Sequence, residues 1–336
     1  MIKVVKSDEI ESEQWQKLIY NSPFVSFFQT KDCYDFYCKL TFLEPVLFGV
    51  TENDKLVGLI CGYLIADGTS VKKIFSKRII IPGGLLIDNN ISSNALNVLL
   101  LDFKTFYRTK ANYIEIRNFS NYSMFRKDIE KTGFKYQAHL NFHLNTKNFG
   151  EVVNNLSTSK RRQIKLTDKA GVTCIQSIKT EDIIAFYAIL SNLHKTKIKT
   201  PLFPISFFQT LVKQNFAKFF VVKKEDTVLG GIFCVMLQHK VIYEWFVCGI
   251  DTVDTGKQKI YPSVYATFTA IKYASENGFE NFDFMGAGKP DQAYGVRDFK
   301  SKFGGDLVEH GRFLFVSKPL IYNFSKFILS LKLFKQ

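Results

Sequence analysis

The 336 residues fit two domains of ordinary size, and an apolar content of 46% can build real cores, which excludes a disordered chain. Lys and Arg number 45 against 31 Asp and Glu, a formal charge of +14 that favours anionic partners such as nucleic acid, nucleotide sugars, pyrophosphate lipids or an acidic membrane face. The opening MIKVVKSDEIESEQW carries charge where a signal peptide needs an apolar core, no apolar run nears the ~18 residues of a spanning helix, and the six scattered cysteines include no CxxC pair, so a cytoplasmic chain that touches a membrane at most peripherally is expected.

In chain order, Pro45 to Val50 and Leu56 to Ile65 are apolar runs about the turn Glu52-Asn53-Asp54-Lys55, the pattern of a hairpin. Asn94 to Tyr107 sets Ala95, Val98, Leu99, Asp102 and Phe106 near helical spacing. Ile114 to Ile116 and Asn141 to Leu144 read as short strands. Asn154 to Ser159 has helix-start chemistry and leads into Lys160-Arg161-Arg162-Gln163-Ile164-Lys165. Phe219 to Val222 and Leu229 to Leu237 flank a second acidic turn, and Val241 to Val247 adds a strand. Pro262-Ser263 opens a helix that Asn277-Gly278 stops before the strand at Phe282. The tail from Pro319 to Phe334 spaces Leu320, Phe324, Phe327, Ile328 and Leu331 as an amphipathic helix with Lys318, Lys326, Lys332 and Lys335, fit to pack on its own protein or rest on a membrane.

An internal echo organises these elements. Ser26-Phe27-Phe28-Gln29-Thr30 recurs as Ser206-Phe207-Phe208-Gln209-Thr210. In the same order, Asp54 to Cys61 resembles Asp226 to Cys234, Ile114-Glu115-Ile116 resembles Phe282-Asp283-Phe284, and Asn141 to Leu144 resembles Arg312 to Phe315. Matches in order at about half the chain length imply duplication of one unit rather than a solenoid. The expected fold is α/β, a mixed sheet covered by helices occurring twice, with domains at 1–145 and 146–317 and a C-terminal helix over 318–336 that packs back on the first.

Metal and nucleophile motifs are missing. His139 and His143 lie four apart on a strand pattern, a span of ~13 Å that no single ion bridges. No HExxH or GxSxG occurs, and Gly286-Ala287-Gly288-Lys289 fails as a phosphate loop because Asp283 and Pro290 stand where Gly and Ser or Thr are needed. No metal and no cofactor is expected. Two segments remain. Arg161 and Arg162, at a helix start within Lys160 to Lys169, are placed to grip phosphate, the alternative being a solvated helix face. Asn281 to Gly288 ends a strand in Gly-x-Gly, leaving backbone at Gly286 and Gly288 open to a ligand, and is followed by Gly295-Val296-Arg297-Asp298-Phe299-Lys300-Ser301-Lys302-Phe303-Gly304-Gly305.

The pattern F-D-F-x-G…G-V-x-x-F-K-x-x-F-G-G resembles the C-terminal signature of the Fem family, non-ribosomal peptidyl transferases built from two GNAT-like domains. Arg161-Arg162-x-Ile164-Lys165…Ala170-Gly171-Val172 resembles the helix opening the family's second domain, and Phe28-Gln29-Thr30 its first-domain pattern. The resemblance implies transfer of an aminoacyl group from aminoacyl-tRNA to an amine of a peptidoglycan precursor. It places Lys300, beside Phe299, at the precursor's phosphates and the reacting carbonyl, the two expected catalytic residues with Lys300 stabilising the developing oxyanion, and makes Lys39 a looser candidate for precursor binding. Asp283, Gly286, Gly288 and Arg297 join Arg161 and Arg162 as candidate substrate contacts. Asp283 is either a general base or the group that fixes the loop. The long charged coiled-coil insertion of the larger members is missing from this sequence. Two other readings stay open: an acyl-CoA-dependent N-acyltransferase acting on a cell-envelope sugar or lipid precursor, and a non-catalytic basic module that binds RNA or lipid.

Overall fold

The computed structural model describes residues 1–68, 70–250, 253–254 and 259–334. It divides into two compact units, Met1–Ala138 with Glu309–Gln336, and His139–Val308. The first runs β1 (Ile2–Lys6), α1 (Ser12–Asn21), α2 (Lys31–Cys38), β2 (Leu43–Glu52), β3 (Lys55–Ile65), α3 (Ser70–Ser76), β4 (Arg78–Gly83), β5 (Leu86–Ile87), α4 (Ser93–Tyr107), β6 (Tyr113–Asn118), α5 (Arg126–Lys131) and β7 (Lys135–Gln137). The second begins with β8 (Leu140–Asn145), α6 (Phe149–Asn155), α7 (Thr158–Lys169), β9 (Val172–Gln176), α8 (Thr180–Leu193) and α9 (Ile205–Leu211). It continues with β10 (Ala217–Lys224), β11 (Thr227–Leu237), β12 (Val241–Gly249), β13 (Val253–Asp254), β14 (Lys259–Ile260), α10 (Pro262–Glu276), β15 (Asn281–Asp283), α11 (Gly295–Ser301) and β16 (Asp306–Glu309). Last come β17 (Arg312–Val316) and α12 (Pro319–Phe334), which belong to the first unit.

The two sheets have one topology. Hydrogen bonds order the first β1-β2-β3-β4-β6-β17-β7, with β5 also on β3, and the second β9-β10-β11-β12-β15-β8-β16. In both, the fourth and fifth strands pair parallel, β4 with β6 and β12 with β15, and the next strand returns antiparallel. The echo in the sequence is therefore a repeat in the fold, and the α/β tandem expected from it stands.

The boundary differs from the one expected after residue 145. The sixth strand of each sheet lies across that expected boundary: β17, from the C-terminal end of the chain, pairs β6 in the first, and β8, which ends at Asn145, pairs β15 in the second. Asn141 to Leu144 and Arg312 to Phe315 do correspond, but each completes the sheet that does not precede it. Linear sequence has no marker for this exchange, since both strands carry the same alternation.

Local chemistry explains the elements. Asn53 and Asp54 adopt φ of 51° and 60°, the twist of a two-residue hairpin turn, and fix the β2–β3 register. β3 is buried almost throughout because helices cover both faces of its sheet. Ile60 and Leu64 join the core under α4 with Leu99 and Phe103, while Leu59 and Cys61 face Trp15 and Leu18 of α1. α4 buries Ala95, Leu96, Leu99, Leu100, Phe103 and Tyr107. The expected face was rotated: Asp102 and Phe106 are exposed, because the stripe follows Leu96, Leu100 and Phe103. In the second unit Phe186, Phe208, Phe219 and Phe233 stack under α8 and α9, and α10 covers the opposite face with Ala266, Ala270, Ile271 and Ala274. α12 lies against α3 and β6 through the ring pairs Phe75–Phe324 and Tyr113–Tyr322. Lys335 of the expected amphipathic tail lies outside the described residues.

Candidate functional site

The second unit gathers most of the sequence-predicted site residues where β15 ends. β15 stops at Asp283, whose buried carboxylate fixes the chain that follows. Its Oδ1 accepts from the Met285 amide (2.6 Å) and from Asn141 Nδ2 (2.8 Å), and its Oδ2 lies 3.1 Å from His143 Nε2. Asn141 Oδ1 in turn accepts from the Gly286 amide at 2.7 Å. Burial disfavours a charged His143, yet Asp283 outweighs it and holds the imidazole pKa above its ordinary value. Of the two roles open to Asp283, the geometry matches the one that fixes the loop. Met285, Gly286 and Gly288 take φ of 56°, 104° and 77°, and a Cβ on Gly288 would come within 2.8 Å of the Tyr294 ring.

Lys300 closes this loop from inside. Its Nζ donates to Phe284 O and to Gly286 O (2.9 Å), and Glu244 Oε1 on β12 lies 3.6 Å away. The side chains of this pair are 8% and 1% exposed. Glu244 Oε2 accepts from Thr267 Oγ1 at 3.0 Å, tying the pair to α10. Burial pushes the Lys300 pKa down and the Glu244 pKa up, since each charge loses more by leaving water than its partner returns. The ammonium expected at the precursor's phosphates and the reacting carbonyl is thus turned inward, onto two carbonyls and a carboxylate. Arg297 is turned the same way. Its Nε donates to Ala287 O (2.9 Å) and its Nη2 to Lys289 O, so the guanidinium staples α11 to the loop.

Phe299 is half-buried and carries a residue that the sequence reading passed over. Lys160, 3% exposed, sets its Nζ 3.6 Å above the Phe299 ring and 4.7 Å from that of Phe303. Burial, helped by Lys302 and opposed by Glu244, pushes its pKa down to about 7. The Ser157 side chain caps α7 by accepting from the Lys160 amide (3.3 Å), which fixes where this lysine enters the core. Its place in a run of cations pointed to a surface face; only the fold of α11 against α7 buries it. Glu244 was missed as well, the one acid in an otherwise apolar and aromatic strand, Val241–Gly249.

Beyond Lys160, α7 borders a groove of about 590 Å³ with α10. Arg161, Ile164, Lys165 and Asp168 line one wall at helical spacing, Tyr265, Phe268, Thr269 and Lys272 the other, and Cys174 of β9 lies at its floor. Two bonds pin one end: Tyr261 N to Thr167 Oγ1 and Tyr265 Oη to Asp168 Oδ1, each 2.9 Å. Arg161 faces this groove; Arg162 is exposed and does not line it. Lys39 lies in the first unit, exposed at the C-terminal end of α2. Among the described residues no group of three His, Cys, Asp or Glu can hold a metal, and no helix is long and apolar enough to cross a membrane.

Residues 208–329 match the FemAB family, so the Fem resemblance read from the motif is borne out over that segment. The crystal structure of FemX is similar over 96% of this chain and 99% of its own, with 17% identity and a TM-score of 0.69. A tandem GNAT protein from the clavulanic acid biosynthesis pathway is similar over 94% and 99% of the two chains, with 10% identity and a TM-score of 0.61. L-PGS from Bacillus licheniformis is similar over 92% of each chain, with 12% identity and a TM-score of 0.54. At these identities the likeness is one of fold, a tandem of GNAT-like units. No curated protein matches the sequence.

Proposed function

We propose that this chain is a Fem-type transferase of cell-wall synthesis, which moves an aminoacyl group from aminoacyl-tRNA to an amine of a peptidoglycan precursor. The observation that carries the reading is the FemAB match over 208–329, which takes in both the loop after β15 and the Phe299-Lys300…Gly304-Gly305 segment packed on it. In this reaction a neutral amine attacks the ester carbonyl, a tetrahedral oxyanion forms, and its collapse releases the ribose hydroxyl while the amine nitrogen gives up its proton. Such a step gains chiefly from holding two substrates in register. The loop is suited to that, because its amides and carbonyls are already bonded to Asp283, Asn141, Lys300 and Arg297 and do not reorganise. Lys300 and Phe299 then serve as positioning residues. Arg161 and Lys165 in the α7–α10 groove, with the exposed Arg162 of the same helix, supply phosphate contacts, and Lys39 is kept for the precursor.

The test is mass analysis of precursor products after incubation with a full set of charged tRNAs and, separately, with acyl-CoAs. An aminoacyl mass increment that needs tRNA is the expected result. A second reading follows the tandem GNAT protein, a structure solved without AcCoA: in it this chain uses an acyl-CoA to acylate a cell-envelope sugar or lipid precursor, and only the acyl-CoA arm gives product. Salt-sensitive RNA binding with no product from any donor overturns both and leaves a binding module. Within the first reading, Arg161→Ala with Lys165→Ala is expected to raise KM for the phosphate-bearing substrate about tenfold or more with kcat little changed, the signature of lost uniform binding.

A further inference from the structure

One face of the first unit takes no part in this chemistry. α3 and α12 touch through Phe75 and Phe324, whose ring centroids are 5.6 Å apart, and through Ser325 Oγ, which donates to Phe75 O at 3.0 Å. At and beside that contact Ile74, Leu320, Phe324 and Phe327 remain 58%, 88%, 49% and 59% exposed, so two touching helices leave large apolar side chains uncovered. Lys72, Lys73 and Lys326 are exposed beside it. Neither 68–77 nor 311–336 contains an Asp or Glu.

We propose that the α3–α12 face docks the protein onto the surface of an anionic lipid bilayer. An apolar face with a cationic rim suits the boundary between acyl chains and headgroups, where the rings leave water and the lysines meet phosphates. Charge decides against the other apolar partner at hand: the acid ahead of α3, Asp67, is already paired with Arg78, so a second copy seated two-fold on the same patch brings lysine against lysine with no unpaired acid beside them. α12, at 16 residues, lies along the surface and does not cross it. This inference is independent of the transferase reading and is tested without turnover.

The experiment is co-sedimentation of the full chain with vesicles of phosphatidylcholine alone and of phosphatidylcholine containing phosphatidylglycerol, at low and high salt. Binding to the anionic vesicles that salt weakens is expected, with each lysine at the surface contributing on the order of fivefold in partition. Lys72→Ala with Lys73→Ala is then expected to cut partition by about tenfold or more. Leu320→Asp with Phe327→Asp is expected to abolish it at an unchanged Tm; if that pair fails to fold, the lysine pair decides. Equal partition into both vesicle types, none into either, or wild-type binding by the lysine variant overturns the proposal. So does light scattering that shows a dimer dissociated by the same substitutions.

Discussion

At the scale of single residues, the buried charges set the testable behaviour. Lys300 neutralises Glu244 in a place with almost no water, so Lys300→Met leaves a carboxylate stranded and is expected to cost about 3–5 kcal/mol. The double substitution Lys300→Met with Glu244→Gln is expected to recover most of that loss, measured by chemical denaturation. Comparing kcat for the two variants separates the fold from the chemistry: a double variant that folds well but stays slow assigns Lys300 a part in turnover beyond loop packing. Glu115 is a buried acid of the first unit. Its carboxylate lies 2.8 Å from both Arg117 Nη2 and Arg312 Nη1. Burial alone would raise its pKa, but the two guanidiniums overcome this and bring it to about 2. The folded pKa thus sits below the unfolded value of 4.5, so the stability is fully present above pH 4.5 and is lost as pH falls toward 2. A loss on the order of 3 kcal/mol is expected across that window, absent in Glu115→Gln.

Elements respond to their surroundings as much as to their own sequence. Ser26 to Thr30 forms a tight turn ahead of α2, in which the Ser26 amide donates to Gln29 Oε1 (2.7 Å) and Gln29 Nε2 donates to Gly83 O (3.2 Å). The same five residues at 206–210 lie inside α9. The identical pentapeptide marks equivalent places in the repeat but does not dictate a backbone shape. α7 depends more on local chemistry: Ser157→Ala removes its cap and is expected to cost about 1 kcal/mol, read as a lower Tm. It also loosens the entry of Lys160 into the core, so the cation over Phe299 is expected to titrate nearer its ordinary value, observable by NMR of the labelled lysine.

For the whole molecule, the first unit depends on chain that lies beyond its own N-terminal run, while the second is one continuous stretch. A chain ending at residue 308 lacks β17, which pairs β6 on one side and β7 on the other. Its first unit is then expected to lose its fold and expose an open strand edge prone to aggregation, while His139–Val308 keeps its sheet. Limited proteolysis checks this: protection confined to the second unit is the expected pattern, and equal protection of both contradicts the pairing.

The sequence by itself determined the repeated α/β unit, the hairpins and helices within it, and the Fem-type segment, because alternation, turn residues and capping act over a few neighbours and survive duplication. It also brought Asp283, Gly286, Gly288, Phe299 and Lys300 into one neighbourhood, since the motif is short and one helix carries half of it. Tertiary structure alone decided that β8 and β17 trade sheets, that Lys300 faces inward, and that Lys160 is a core residue and not part of a solvated face. Strand partners and the direction of a long cationic side chain depend on acceptors distant in the chain, Glu244 for one and β6 or β15 for the other. No local pattern encodes which of them packing will bring near.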